Sequence, residues 1–472
     1  MRRMLSANQP LLHLTQAAQA SPRALALKTP GFELSFIDLL GSSLKLATAL
    51  QERGVVSGDV VAVNADWGFQ ALLTLALWAI RARGYALPSL RAWATMPPPS
   101  ILLTQTEHEL EDRYPSIRVD QAFVDQALER TEPFELSVFG EQEICRYLFS
   151  SGTTGAPVAL PITVELLECR STLIHDHWMP ALPFFSLLPV TAGHGLYALT
   201  NALATGTTYY APGSPQENLA IIQQESIGSI IGSVAQLEAL CAASEAASQR
   251  LGDLDTIFVT GSALTAELAQ RISKISEARV LSLYGATEVG PVATGELDEH
   301  GTLYFQAPRD HVSVKRRQDG AMGDDTGEAL IIATTNMVDG VGDNVDEAGH
   351  AWFSTGDLVR FSADGSFELI GRTNEVANVG GVKVNLSELE NEVRLFDAVS
   401  DAAIVEYEPS RYVLSVVMED HGAAAGVLER ARRAGFGIPL DAVLVLDEVP
   451  VTEFGKLQRE AIAAIYRDQV AQ

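Results

Sequence analysis

The stretch Phe149-Ser150-Ser151-Gly152-Thr153-Thr154-Gly155-Ala156-Pro157-Val158 is the part of this chain best suited to chemistry. Glycine lets a backbone approach a ligand closely and take positive φ, while hydroxyls and main-chain N–H groups donate to phosphate oxygens. Residues Ser150 to Gly155 therefore predict a phosphate cradle, with ATP as the first ligand to consider. A plain surface turn is the alternative reading of such a loop taken alone. Val158 stands where a lysine would normally close a loop of this kind.

The elements around the loop predict a layered α/β chain. Apolar residues recur at helical spacing from Ser35 to Arg53, and Gly54 ends that helix. Val60–Val63 reads as a short buried strand, followed by a helix from Phe69 to Ala82. Leu148-Phe149 reads as the end of a strand feeding the loop. A strand at Ile227–Gly232, a helix at Val234–Ala247, a strand at Ile257–Thr260, a helix at Thr265–Ser276 and a strand at Val280–Leu283 continue the rhythm. Ligands gather at the carboxyl ends of strands in such sheets. This places three turns together: 150–155, 260–263 with Gly261, Ser262 and Ala263, and 284–288 with Tyr284 and Gly285.

After residue 300 the texture changes to strands and tight turns. Glu328–Ala333 is strand-like, and Trp352–Phe361 with Phe367–Ile370 predicts a hairpin around Asp364-Gly365. The tail predicts strands at Ala402–Tyr407, Val413–Met418 and Ala442–Leu446, with helices at Ser387–Leu395 and Ala423–Ala434. The fold class is thus α/β: a large N-terminal domain of mixed sheets flanked by helices with a β-rich subdomain, residues 1–371, and a small α+β C-terminal domain, residues 372–472.

At 472 residues with 47% hydrophobic and 20% charged residues, the chain reads as an ordinary globular protein of two or more domains. Its net charge of -27 argues against nucleic acid or an anionic membrane as partner. Cys145, Cys169 and Cys241 are isolated, so each reads as a small buried hydrophobe in a reducing compartment. The start is a poor secretory signal and Ala71–Ile80 is too short to span a bilayer, which predicts a cytoplasmic protein with no membrane span. His175, Asp176 and His177 read as a helix terminus in preference to a metal cluster.

Five further segments follow the loop in fixed order: Leu283-Tyr284-Gly285-Ala286-Thr287-Glu288, Thr326-Gly327-Glu328, Ser354-Thr355-Gly356-Asp357-Leu358, Gly371-Arg372 through Gly380-Gly381, and Pro450-Val451-Thr452-Glu453-Phe454-Gly455-Lys456. Together they closely resemble the acyl-adenylate-forming superfamily of acyl- and aryl-CoA synthetases, stand-alone adenylation domains and firefly luciferase. The resemblance covers nearly the whole chain.

It implies an AMP-forming acid–thiol ligase using ATP and Mg²⁺, with CoA or a carrier-protein phosphopantetheine as acceptor. Ser150, Ser151, Gly152, Thr153, Thr154 and Gly155 would hold the β- and γ-phosphates. Thr287 matches the threonine near the α-phosphate and Glu288 the Mg²⁺ glutamate. Gly261, Ser262, Ala263, Tyr284 and Gly285 would border the nucleotide, with Tyr284 stacking on adenine or shaping the acyl pocket. Asp357 suits the ribose hydroxyls, with Arg372 beside it. Lys456 matches the lysine that bridges the substrate carboxylate and the α-phosphate. The small domain would be mobile, turning about Asn374 to replace Lys456 by Gly380-Gly381 and open a thiol channel. A simple turn between strands is the other reading of Gly380-Gly381.

The chain departs from the family at three places. Val158 removes one positive charge from the pyrophosphate side. Asn378 replaces a common lysine, and the hinge Asn374 is often aspartate or lysine. In Leu188–Leu196 the usual histidine slot is Ala192, and His194 beside Gly195 would line the acyl pocket or guard the thiol channel; a core or surface histidine is the equal alternative. That segment lacks an aspartate for an α-amino group, which favours an aromatic or medium-sized apolar acid over an amino acid. A stand-alone amino-acid adenylation domain and a non-catalytic nucleotide-binding homologue are the competing functions. Arg430, Arg432 and Arg433 are candidates for meeting an acidic carrier or the CoA phosphates, with a solvated helix face as the other reading. A monomer or homodimer is expected.

Overall fold

The computed structural model describes residues 10–87, 96–130, 139–150, 158–178, 182–308, 312–317, 326–333, 336–342, 344–345, 351–372, 376–379, 382–396, 398–408, 411–433, 438–451 and 457–470. The chain divides into two compact units. One comprises Met1–Glu296, Pro308–His311 and Ala333–Val341, the other Leu297–Ala307, Val312–Ile332 and Gly342–Gln472.

The first unit opens with helix α1 (Pro10–Ala20), strands β1 (Leu25–Lys28) and β2 (Glu33–Ser35) and helix α2 (Phe36–Glu52). Ser35 caps α2 by accepting from the Asp38 amide, and Gly54 takes φ 100° as the chain leaves it. Next come β3 (Val60–Asn64), α3 (Trp67–Ile80), β4 (Arg83–Ala86), β5 (Ile101–Thr104), β6 (Ser116–Arg118), α4 (Gln121–Leu128), β7 (Ile144–Ser150) and β8 (Val158–Thr163). They form a sheet ordered β6-β5-β3-β4-β7-β8, parallel except for the β7–β8 pair.

Helix α3 starts earlier and stops earlier than its apolar spacing predicts. Asp66 caps it by accepting from the Phe69 amide, and Arg81 turns left-handed at φ 65° to feed β4. Every residue from Gly68 to Ile80 is buried. Each large apolar side chain there contributes roughly 1.5–3 kcal/mol.

The unit continues with α5 (Val164–His177), β9 (Phe184–Ser186), α6 (Gly193–Thr205), β10 (Tyr209–Tyr210), α7 (Pro215–Gln224), β11 (Ser229–Ser233), α8 (Val234–Ala247), β12 (Thr256–Thr260), α9 (Ala266–Ile275), β13 (Arg279–Ala286) and β14 (Gly290–Leu297). Strands β9, β11, β12 and β13 run parallel, and β14 returns antiparallel on β13. Helix α8 matches the expected Val234–Ala247.

Strand β13 corrects the sequence reading. It runs on through Ala286, with Tyr284 opposite Ala293 and Gly285 opposite Pro291 across a bulge, so the turn occupies 287–289. Strand β14 satisfies backbone groups that the small residues alone suggested were in a turn.

The second unit holds β15 (Leu303–Gln306), β16 (Val312–Arg317), β17 (Thr326–Ala333), β18 (Asn344–Val345), β19 (Ala351–Phe361) and β20 (Phe367–Arg372), with order β16-β17-β19-β20-β15. The β19–β20 hairpin turns at Asp364-Gly365 as expected, with Gly365 at φ 86°. A hairpin of β21 (Val376–Val379) and β22 (Val382–Asn385) follows, with strands on either side of Gly380-Gly381 as the alternative reading of that pair had them. Then come α10 (Leu386–Arg394), β23 (Asp401–Glu408), β24 (Arg411–Val417), α11 (Ala424–Arg433), β25 (Leu440–Leu446) and α12 (Arg459–Val470). In β23, Ala402 and Ile404 join a core with Leu389, Val393, Val427 and Leu428. The alternate Ala403 and Val405 join another with Ile462 and Ala463.

Candidate active site

Strand β7 carries Ser150, 7% exposed, to the mouth of the hydroxyl-rich loop, where its partner across the sheet is Val158. The loop therefore joins two antiparallel strands. Ser151, Gly152, Thr153, Thr154 and Gly155 lie outside the described residues. Val158, in place of the expected lysine, is 45% exposed.

The turn after β13 reaches the same strand end. Thr287 Oγ1 donates to the carbonyl of Phe149 at 3.3 Å, so the threonine, expected near the α-phosphate, sits at the end of β7. Glu288 is half-buried. Its main-chain oxygen accepts from the Val338 amide at 2.8 Å, and its carboxylate makes no hydrogen bond or ion pair with a described residue. An uncommitted hard oxygen donor next to a hydroxyl fits Mg²⁺ carried on a nucleotide, which brings phosphate oxygens of its own. Gly261, Ser262 and Ala263 form an exposed turn after β12, and Gly261 takes φ 85°. Tyr284 is half-buried and Gly285 exposed, both on β13.

Beneath the 287–289 turn lies a residue that the sequence reading passed over. Arg170 on α5 is fully buried. Its guanidinium donates to the carbonyls of Thr287 at 2.9 Å and Glu288 at 3.0 Å. It also donates to the carbonyl of Asn336 at 2.7 and 3.0 Å, and to Tyr197 Oη at 3.0 Å. The signal was an arginine among Leu166, Leu167, Ser171, Leu173 and Ile174, on the apolar face of a helix.

His194 stands in the first turn of α6. Its Nε2 lies 3.3 Å from Thr260 Oγ1, and its ring meets Tyr197 edge-on at 5.9 Å. Enclosure, then the nearby Arg170 charge, push its pKa down to about 4, so it is neutral at physiological pH. Gly195 is buried. A Cβ there would lie 1.9 Å from the Pro189 carbonyl oxygen, so this close passage of α6 over residues 188–189 excludes any side chain.

In the second unit Asp357 on β19 and Arg372 on β20 are cross-strand partners. Arg372 Nε donates to Asp357 Oδ1 at 2.8 Å, and Arg372 Nη2 to the Thr355 carbonyl at 3.2 Å. Asn374, Gly380, Gly381 and Lys456 lie outside the described residues. The residues flanking Gly380-Gly381, Val379 and Val382, pair with each other. The residues flanking the Lys456 segment are also tied: Val451 pairs with Leu457, and the Gln458 amide donates to Pro450 O at 2.9 Å. One turn on, Arg459 pairs with Glu390, which is 2% exposed.

The proposed basic patch is largely committed elsewhere. Arg432 donates to the Leu440 carbonyl and pairs with Glu429. The Arg430 guanidinium lies 3.9 Å from the Phe396 ring centroid. Cys145 and Cys241 are buried as expected, but Cys169 is partly exposed. His175 and His177 lie in the last turn of α5. No helix among the described residues is long and apolar enough to cross a membrane.

Fold and donor set define an α/β enzyme fitted to a magnesium-bound nucleotide. The AMP-binding enzyme family profile matches residues 14–316. The chain belongs to that family. It is 23% identical to the 2-hydroxy-7-methoxy-5-methyl-1-naphthoate–CoA ligase of Streptomyces carzinostaticus, over 96% of this chain and 92% of that protein. It is 25% identical to the feruloyl-CoA synthase of an Amycolatopsis species, over 93% and 95%. Its fold matches o-succinylbenzoate CoA synthetase (MenE) from Bacillus subtilis, solved with its acyl-adenylate intermediate. The TM-score is 0.80 at 19% identity, over 95% of this chain and 97% of that one.

Proposed function

We propose that this enzyme activates an aromatic or medium-sized apolar carboxylic acid with ATP, then passes the acyl group to the thiol of CoA or of a carrier-protein phosphopantetheine. In the first step an oxygen of the acid bonds to the α-phosphorus, and the bond from that phosphorus to the bridging oxygen breaks. Pyrophosphate leaves with the electron pair. In the second step the thiolate sulfur bonds to the acyl carbon, the acyl C–O bond breaks and AMP leaves.

The observation that carries this reading is the Thr287 hydroxyl bonded to Phe149 at the mouth of the Ser150–Gly155 loop, with the uncommitted Glu288 carboxylate next to it. Mg²⁺ held by Glu288 would offset phosphate charge. Ser150 to Gly155 are assigned the β- and γ-phosphates, and Asp357 with Arg372 the ribose. Lys456 is assigned the charge between carboxylate and α-phosphate. Residues 372–472 are assigned as the mobile domain, with Asn374 as hinge and Gly380-Gly381 bordering the thiol arm. Neutral His194 suits the wall of an apolar acyl pocket.

Relatives named for a naphthoate and for ferulate favour an aryl acid and CoA. Three free cysteines suit a reducing cytoplasm. The test is incubation with ATP, Mg²⁺, an aryl acid and either CoA or a phosphopantetheinylated carrier, with products identified by mass. AMP plus an aryl thioester supports the proposal. ADP as the nucleotide product, or no thioester with any acid, overturns it.

A further inference from the structure

We propose that Arg170 is a positioning residue for magnesium-bound ATP, acting through the main chain of Thr287 and Glu288. The proposal rests on the assignment of Glu288 to the metal.

The guanidinium is wholly buried, yet its partners are three carbonyls and one phenol, with no ion pair among the described residues. Burying a cation without a counter-charge is costly, and an apolar side chain of similar volume would pack here more cheaply. The return is geometric. Arginine's rigid fork fixes two consecutive carbonyls, those of Thr287 and Glu288, and ties them to Asn336. The segment after Asn336 reaches back independently, through the Val338 amide to Glu288 O. The turn bearing the Thr287 hydroxyl and the Glu288 carboxylate is thus pinned from below.

The packing is built around this guanidinium. Gly290, at φ 73°, closes the turn, and a Cβ there would lie 2.8 Å from Arg170 Nε. Any side chain at 290 would therefore collide with the arginine as well as strain the backbone. On its other side Arg170 meets Tyr197, whose ring meets His194, whose Nε2 meets Thr260 at the head of the 261–263 turn. A line of contacts, two hydrogen bonds joined by one edge-on ring contact, runs from one candidate nucleotide-facing turn to the other, with Arg170 at the end beneath Thr287 and Glu288. Outer partners of metal ligands typically affect metal affinity by 10–100-fold.

The test is calorimetric binding of ATP with and without Mg²⁺, and of AMP, to the full chain and to Arg170→Lys, Arg170→Met and Tyr197→Phe. In folded Arg170→Lys and Arg170→Met, the Kd for ATP with Mg²⁺ should rise by roughly tenfold or more, while that for AMP moves less than about twofold. Tyr197→Phe keeps the ring and should give a smaller shift of the same sign. ATP and AMP weakened equally, or both unchanged in a folded variant, overturns the proposal. So do Arg170 variants that fail to fold together with an unchanged ATP-to-AMP ratio in Tyr197→Phe, which assigns Arg170 to folding alone. An unsubstituted chain that binds no ATP in Mg²⁺ is a different result, and overturns the nucleotide reading itself.

Discussion

Arg372 Nε donates to Asp357 Oδ1 at 2.8 Å from the directly opposite position on the neighbouring strand. The aspartate is only 13% exposed and the arginine 33%. The pair holds the carboxylate oriented before any ligand arrives. Arg372→Lys keeps the charge but loses the fork that serves both Asp357 and the Thr355 carbonyl. Losing a charge-assisted bond of this kind costs about 1.5–3 kcal/mol. ATP binding by calorimetry should therefore weaken by roughly ten- to a hundredfold, with Asp357→Asn at least as severe. Unchanged affinity in both variants would remove them from the nucleotide site.

Stability should depend on His194 at mildly acid pH. Its folded pKa of about 4 lies below its ordinary 6.5, because burial and the Arg170 charge oppose protonation. Between those values the unfolded chain binds more protons, so stability falls as pH drops from 6.5 toward 4 and is unaffected by this group above 6.5. The effect is at most about 3 kcal/mol. Urea unfolding of His194→Gln should show a shallower slope in that window than the parent. Parallel curves would contradict the assignment.

Glu168 should act in the opposite direction. Burial, then the Glu141 charge, raise its pKa to about 8 from an ordinary 4.5, and its Oε1 is buried without a hydrogen-bond partner among the described residues. The parent must lose stability as pH rises from 4.5 to 8, where ionising the folded carboxyl is penalised. Glu168→Gln removes that penalty and should be the more stable protein at pH 8, by about 1–3 kcal/mol, with little difference at pH 4.5. Equal unfolding midpoints at pH 8 would count against it.

Elements with a strong period were legible in the sequence, and their ends much less so. Helix α8 is bounded as its pattern implies because Ser233 is a capping serine. Helix α3 is not, because Arg81 takes a left-handed turn that no residue type announces. Strand β13 outran its apolar run because β14, distant in pattern though near in sequence, pairs with Tyr284–Ala286. The ordered set of motifs singled out Thr287, Glu288, Asp357 and Arg372 as candidates. It could not show that Thr287 touches Phe149, or that Asp357 faces Arg372, since those are register facts. Arg170 escaped because a buried arginine in a helix looks like a surface residue until its neighbours are known. Gly195 looked like part of a ligand channel, and the backbone of Pro189 also demands it.

The role proposed for Lys456 predicts that its loss separates the two half-reactions. Lys456→Ala should lose adenylation by roughly a hundredfold or more, the scale of removing one preorganised transition-state donor. It should keep thioester formation from a supplied acyl-adenylate. Equal loss of both, measured by separate assays of each step, would deny the lysine this role.

The most direct measurement is ATP–pyrophosphate exchange in Mg²⁺, catalysed by the full chain across aryl, fatty and amino acids. The account predicts exchange that needs both Mg²⁺ and an acid and is fastest with an aryl acid, despite the valine at 158. ATP binding with no exchange for any acid would contradict it, and would leave a nucleotide-binding protein without the chemistry.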